Sequence, residues 1–270
     1  MNIDKCPICR GKLIKLHDDR FLQCRFCGTV FNSAYFPDKY SDEYFTTDYR
    51  KQYGKTYEDD YCNIREFSLK RLKNIFSLIN AENTKSIVDV GSALGFFLET
   101  AYDLGIKDCT SLEVSKYAVD YIRIHYPFKI INNSFDLYIP DQKYDIVTAW
   151  YYIEHTADIC GTIEKLSSMV SANGILAFSV PSSFSPMFYF MRNNFFTNHP
   201  KDHRADLTPK SVKIILKQLG YRKIVIRPAS YHPERIVSKN KIYFKIFSAI
   251  YRFFSDITGF SDTIEVYALK

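Results

Sequence analysis

The chain has 270 residues, 46% of them hydrophobic and 24% charged, with 22 Phe and 21 Tyr, which is more than enough apolar mass for a packed core. A net charge of +6 and a pI near 8.8 admit anionic ligands such as phosphates, nucleotide sugars or RNA and require none of them. The opening MNIDKCPICRG has no basic-then-apolar leader pattern, and the most apolar long stretch, Ile242 to Phe254, is broken by Lys245 and Arg252; signal peptide and membrane span are therefore not expected, and a cytoplasmic chain with reduced cysteines is.

Four of the seven cysteines come first, as Cys6-Pro-Ile-Cys9 and Cys24-Arg-Phe-Cys27, with fourteen residues between the pairs. Two residues between thiolates let one tight knuckle aim both sulfurs at a single ion. Two knuckles close a tetrahedral site with no open position, which means structural zinc held by Cys6, Cys9, Cys24 and Cys27. Residues 1–34 are too few to bury a core alone, and the metal would supply the missing stability. Gly11 and Gly28 sit where the backbone must turn. Cys62, Cys109 and Cys160 read as small buried hydrophobes.

Residues 35–64 carry Tyr35, Tyr40, Tyr44, Tyr49, Tyr53, Tyr57 and Tyr61, mostly four apart, which predicts a helical stripe interrupted at Gly54. The stripe either packs on the main domain or forms a lid over a cleft. From Arg65, the spacing of Leu69, Leu72, Ile75, Phe76 and Ile79 predicts an amphipathic helix. Strands are then expected at Ser86–Val90, Asp108–Val114, Phe128–Asn132, Asp145–Tyr151 and Gly174–Val180. They alternate with helices near Phe96–Asp103, Lys116–Tyr126, Ile159–Ser168 and Pro209–Leu219. This alternation predicts a parallel sheet covered on both faces. Lys223–Pro228 and Thr263–Leu269 read as two further strands, a terminal hairpin with an insertion between them.

The loop after the first of these strands reads VDVGSALGF. A dinucleotide fingerprint would put glycines where Gly91, Ala93 and Phe96 stand, so the loop lacks a phosphate cradle. A ligand without phosphate, with an amino-acid part and a nucleoside part, suits it better. Glu113, at the tip of the second strand, supplies a carboxylate for ribose hydroxyls.

VDVGSALGFF, SLEVSKYAVDYIR, YDIVTAWYYIEHTAD, NGILAFSVPS and TPKSVKIILKQLGY, in that order, resemble the class I S-adenosylmethionine-dependent methyltransferases from about Arg65 to the C-terminus. The family loop is usually Gly-x-Gly-x-Gly, and Ala93 replaces its middle glycine. The cysteine ribbon and Tyr-rich linker resemble a bacterial subgroup with an N-terminal zinc module, often linked to methylation of sugars or small metabolites. The resemblance implies an α/β Rossmann-like, seven-stranded, mostly parallel sheet with an antiparallel terminal strand, beside a small zinc ribbon. It implies domains at 1–34, 35–64 and 65–270, with insertions at about 182–206 and 231–260. It implies that Asp89, Gly91, Ala93 and Gly95 hold the methionine end of S-adenosylmethionine, and that Glu113 takes the ribose with Val114 against the adenine. Ser134 and Phe135 fall at the adenine contacts, and Trp150 lines the pocket beside the sulfonium.

Transfer to a hydroxyl needs a proton acceptor, and His155 and His203 are the two candidates. Lys201 and Arg204 could meet a substrate phosphate or carboxylate, or simply be solvated. Residues 239–256, with Lys239, Lys241, Lys245 and Arg252, read as a core-covering or dimer-forming helix or as one resting on an anionic membrane, which would suit a lipid-linked glycan. The leading expectation is O-methylation of a sugar, glycan or other small metabolite. A ribosomal or transfer RNA methyltransferase using the ribbon for RNA contact ranks second, and a non-catalytic ribbon protein with a degenerate cofactor loop third. Against RNA, no Arg/Lys run follows the ribbon, and Ala149-Trp150-Tyr151-Tyr152 stands where a base-methylating motif would.

Overall fold

Short apolar-rich runs bounded by Gly, Ser and Asp form the strands, with Ile87, Val88, Ile146 and Val147 buried, and the longer mixed segments between them form helices. A computed structural model describes residues 5–16, 18–37, 44–240 and 242–270; the expectations for Tyr40, Lys241 and the side chain of Tyr53 lie outside the described residues. In chain order the elements are β1 (Leu13–Lys15), β2 (Phe21–Cys24), β3 (Val30–Asn32), a π-type turn at Tyr44–Asp48, α1 (Tyr49–Tyr53), α2 (Tyr61–Phe76), β4 (Ser86–Val90), α3 (Phe96–Asp103), β5 (Asp108–Leu112), α4 (Lys116–His125), β6 (Lys129–Ile131) and β7 (Tyr144–Trp150). After a 3-10 turn at Ile153–His155 come α5 (Ile159–Ser168), β8 (Val170–Pro181), α6 (Pro186–Phe190), α7 (Arg192–Thr197), β9 (Ala205–Asp206), α8 (Pro209–Gln218), β10 (Lys223–Pro228), α9 (Phe244–Thr258) and β11 (Thr263–Leu269).

Seven strands form one sheet in the order β10-β11-β8-β7-β4-β5-β6. The pairs β4–β5, β4–β7 and β5–β6 are parallel, with Ser86 opposite Asp108 and Val88 opposite Val147. The fold is thus the expected α/β Rossmann-like one. β10 and β11 are sheet neighbours despite the residues between them, as the hairpin reading required. A second, four-stranded sheet has the order β1-β2-β3-β9.

Contacts divide the chain into two units: residues 39–150 with 165–177 and 269–270, and residues 1–38 with 151–164 and 178–268. In the first unit, Leu72 and Ile75 of α2 are buried, as their spacing predicts, whereas Leu69 is 44% exposed and belongs to the outer face. The Tyr-rich segment is only partly helical. Gly54 takes a left-handed φ of +76°, which ends α1, and α2 begins at Tyr61. Phe45 is buried against Leu94, Phe96 and Ala118, with Tyr57 and Tyr61 packed on the same cluster. Packing, the first of the two alternatives, therefore describes these rings.

That cluster explains the odd residue of the opening loop. Phe96 occupies the position where a dinucleotide loop needs a tiny side chain. Here Tyr57 stacks on it with ring centroids 5.6 Å apart, and Tyr61 and Tyr121 meet it edge-on at 4.9 and 6.0 Å. Each such pair adds about 1 kcal/mol beyond area burial.

In the second unit the ribbon is antiparallel, with Leu13 opposite Cys24 and Phe21 opposite Asn32. β9 extends it, pairing Val30 with Asp206 and Phe31 with Ala205. Leu16, Phe21 and Val30 share one core with Phe188, Phe195 and Phe196 of α6 and α7. The aromatic insertion after β8 is thus the apolar partner that the short ribbon lacks by itself. α9 starts at Phe244, five residues later than the helix anticipated from Lys239, and Gly259 caps it at φ +73°. Among the described residues no helix is long and apolar enough to cross a membrane.

Candidate functional site

The loop from β4 to α3 is built by backbone conformation. Gly91, Ala93 and Gly95 have φ of 71°, 49° and 81°. A Cβ on Gly95 would come within 3.1 Å of Ile122 Cγ1, so this glycine is fixed by close approach as well as by φ. Ala93 holds a left-handed conformation with a side chain, at a cost of about 1 kcal/mol. Its N–H donates to Glu113 Oε2 at 2.9 Å, which offsets that strain.

Glu113 is the hub of the loop. It is 3% exposed, and its Oε1 accepts from the N–H groups of Val114 and Ser115 at 2.8 and 2.9 Å. Asn132 Nδ2 donates to the Glu113 carbonyl at 2.9 Å, tying the tip of β5 to the end of β6. Val114 is 50% exposed, an apolar surface beside a fixed carboxylate. This pairing fits a nucleoside: the acid suits ribose hydroxyls and the aliphatic face suits a base. Ribose binding would share Glu113 with the amides that already hold it.

Asp89 plays a different part. It is 2% exposed, and Thr148 Oγ1 donates to its Oδ1 at 2.6 Å, so it braces β4 against β7 and offers almost no surface to a ligand. Desolvation pushes its carboxyl up to about 7, with Thr148 and Arg71 opposing the rise. A folded-state pKa raised above the ordinary 3.8 gives stability that is complete below about 4 and lost as pH rises through 7. We expect Asp89→Asn, which keeps shape without charge, to flatten the fall in Tm between pH 5 and pH 8. Parallel slopes for the two proteins in thermal unfolding would refute this.

Ser134 and Phe135 lie after β6. Phe135 is buried, and the Ser134 carbonyl accepts from the N–H groups of Leu137 and Tyr138, so both residues shape the turn. Trp150 closes β7. The Arg71 guanidinium lies 4.1 Å from its ring centroid and Phe97 meets it edge-on at 5.3 Å. The ring face turned to Arg71 already holds a cation, which narrows the sulfonium contact expected of Trp150 to the remainder of the ring. Arg71 carries no sequence signal for this placement.

The second unit brings His155 and His203 together, with ring centroids 4.9 Å apart at 84°. Two partners that sequence reasoning missed complete the cluster. Asp202 Oδ2 lies 2.8 Å from His155 Nδ1, and Glu154 is buried next to His155. Desolvation of the His155 ring works against its protonation, but the Asp202 hydrogen bond and the Glu154 and Asp202 charges outweigh it, and its pKa rises. His203 goes the other way. Desolvation and the His155 charge push it down to about 4, which keeps it neutral and weakly basic. Desolvation pushes the Glu154 carboxyl up to about 7.

Backbone bonds fix this cluster: Tyr35 Oη donates to the His155 carbonyl at 2.7 Å, Arg204 N–H to the Glu154 carbonyl at 2.7 Å, and Asn32 Nδ2 to the His203 carbonyl at 3.2 Å. Arg204 also donates to the Asn32 carbonyl, so it is a structural tie. Tyr151, at φ 54°, starts the segment in a conformation costly for an aromatic residue, held by an N–H bond to Ser179 Oγ at 2.8 Å. His199 is fully engaged, its Nε2 on Asp206 at 2.7 Å and its Nδ1 on the Pro200 carbonyl.

The four ribbon cysteines converge as the spacing predicts. Cys6 and Cys27 sulfurs lie 3.7 Å apart and Cys9 and Cys24 sulfurs 3.4 Å apart, and all four are within 4.8 Å of one another. Zn–S bonds of about 2.3 Å in a tetrahedron place sulfurs roughly 3.8 Å apart, so the donor set fits zinc. The left-handed turns fall at Arg10 and Gly28, each just after the second cysteine of its knuckle. Gly11 is needed for another reason: a Cβ there would stand 3.0 Å from Cys24 Sγ and 2.9 Å from Phe26 Cβ.

The sequence profile of a methyltransferase domain matches residues 61–225, and the chain belongs to that methyltransferase family. No curated protein matches it. Among solved structures it is similar to a SAM-dependent methyltransferase from Archaeoglobus fulgidus, with 17% identity, TM-score 0.56, and coverage of 85% of this chain and all of that one. It is also similar to the plantazolicin methyltransferase BpumL in complex with SAH (14% identity, TM-score 0.53, 84% and 92% coverage). A chain from the complex between the Haloferax volcanii Trm112 methyltransferase activator and a methyltransferase is a third (14%, 0.56, 82% and 96%). At these identities the likeness is one of fold.

Proposed function

We propose that this methyltransferase uses S-adenosylmethionine and methylates a hydroxyl of a sugar, glycan or other small metabolite. The observation that carries the reading is the Glu113 carboxylate, buried at the tip of β5 and bonded to the Ala93 loop, with Val114 exposed beside it. When bound, the cofactor supplies the electrophilic methyl group on its sulfonium. Glu113 holds the ribose, Val114 the adenine, and the Gly91–Gly95 backbone the methionine end. Ser134 and Phe135 support the adenine side through the turn they form. Trp150 closes the pocket with Arg71 behind it.

Proton removal falls to His155. Asp202 orients its ring through Nδ1 and leaves Nε2 to accept the hydroxyl proton. His203, pushed down to about 4, is the weaker base and is assigned to substrate contact. Cys6, Cys9, Cys24 and Cys27 hold one structural zinc.

A lipid-linked acceptor gains support from α9. Ile246, Ile250, Phe253 and Ile257 are exposed on it, Phe253 by 69%, with Lys245 and Arg252 on the same helix. An apolar groove of about 600 Å³, lined by residues including Phe184, Phe190, Phe247 and Tyr251, runs beside them. Such a surface suits acyl chains under an anionic headgroup.

The test uses labelled S-adenosylmethionine with host extracts split into RNA, glycan, lipid and small-molecule fractions. Label is expected in the glycan or small-molecule fraction, or in lipid if the acceptor is lipid-linked. Label confined to RNA would replace this reading with the RNA one. Absence of cofactor binding in calorimetry would leave a non-catalytic ribbon protein.

A further inference from the structure

We infer that Glu154, His155 and His203 form a second metal site, for a divalent first-row cation such as Mn²⁺ or Zn²⁺, separate from the four cysteines. Each residue offers one donor atom, and the three atoms lie within 4.8 Å of one another. The independent observation is Glu154. The residue is 1% exposed, and its Oε2 is buried without a hydrogen-bond partner among the described residues. A buried carboxylate oxygen left unsatisfied costs more than about 1–3 kcal/mol, so it signals an absent partner.

The two imidazoles complete the argument. Asp202 occupies His155 Nδ1, which fixes the tautomer with a lone pair on Nε2, the usual carboxylate–histidine–metal arrangement. The His203 ring makes no hydrogen bond to any described residue and meets His155 edge-on. His199, by contrast, has both nitrogens engaged and is no ligand. Bonds of about 2.1 Å put donors roughly 3–4 Å apart, so donors already within 4.8 Å of one another need to close in by no more than about 1–2 Å. The backbone bonds to Glu154, His155 and His203 hold the frame while the side chains adjust.

Two nitrogens and one carboxylate oxygen leave open positions on the ion, unlike the closed ribbon site. An oxygen ligand, such as an acceptor hydroxyl, would fill one. That last step rests on the methyl-transfer reading; metal binding does not. A ligating His155 Nε2 cannot also take a proton, so the ion would take over from His155 the task of acidifying the hydroxyl.

The test is a Mn²⁺ titration of full-length protein whose cysteines already carry zinc, read by calorimetry and by the electron paramagnetic resonance signal of free Mn²⁺. One Mn²⁺ per chain is expected. Glu154→Gln and His203→Asn are expected to weaken binding at least about 100-fold and Asp202→Asn about 10-fold, with zinc content unchanged. His232→Ala, which removes the exposed His232–Glu234 pair, should bind as wild type does. Absence of a site for Mn²⁺ and for Zn²⁺ beyond the ribbon, or equal affinity in Glu154→Gln and His203→Asn, would overturn the inference. Either result would leave cofactor binding and label transfer as they stand.

Discussion

Replacing Glu113 by Ala is expected to weaken S-adenosylmethionine binding at least about 100-fold. Two charge-assisted hydrogen bonds to a ribose are worth about 3 kcal/mol together, and each 1.4 kcal/mol is tenfold in affinity. The same change removes the acceptor for the N–H groups of Ala93, Val114 and Ser115. The loop should therefore loosen as well, with a stability loss of about 2 kcal/mol. Glu113→Gln separates the two effects. Its carbonyl oxygen still accepts from one side of the loop, while its NH₂ faces a donor on the other. Intermediate Tm with nearly complete loss of affinity is expected for Gln, and low values of both for Ala. Calorimetry and thermal unfolding on the three proteins decide the matter; wild-type affinity in Glu113→Ala would remove the basis for the cofactor pocket.

The sequence announces Glu113 because a strand tip, a glycine-bearing loop and an acid some twenty residues on follow local rules of strand and turn. The cysteine quartet is legible for the same reason: each knuckle is four residues long. The strands of the main sheet are legible because burial favours short apolar-rich runs, such as Ile87-Val88 and Ile146-Val147, set between helical segments. What escaped are contacts between distant segments. Nothing local to Asp202 says that it will meet His155, and nothing in Ala205–Asp206 announces a fourth ribbon strand. Nothing local to Glu154 says that the fold will bury it. Leu69 misled because helical spacing marks a face without saying how wide the buried stripe is. Phe96 looked wrong for its loop because the rings that cover it, Tyr57, Tyr61 and Tyr121, come from both sides of it in sequence.

Removing metal from the ribbon should reach well beyond it. Cys24→Ser is expected to abolish the structural zinc proposed for the ribbon and to cost about 3 kcal/mol or more, a Tm fall of about 6–12 °C for a chain of this size. The path of the damage follows from the contacts. Cys24 Sγ accepts the Cys27 N–H at 3.4 Å, and the Cys27 carbonyl accepts from Thr208 Oγ1 at 2.6 Å, the residue that caps α8. β3 carries β9 on its edge, and Asn32 holds both the His203 carbonyl and Arg204. Loss of the ion should therefore raise amide hydrogen exchange at 204–206 as well as in the ribbon strands. A ribbon that were merely appended would lose protection in residues 5–32 alone. Exchange measured before and after chelation separates these outcomes, and unchanged protection at 204–206 would show that the histidine loop keeps its order without the zinc.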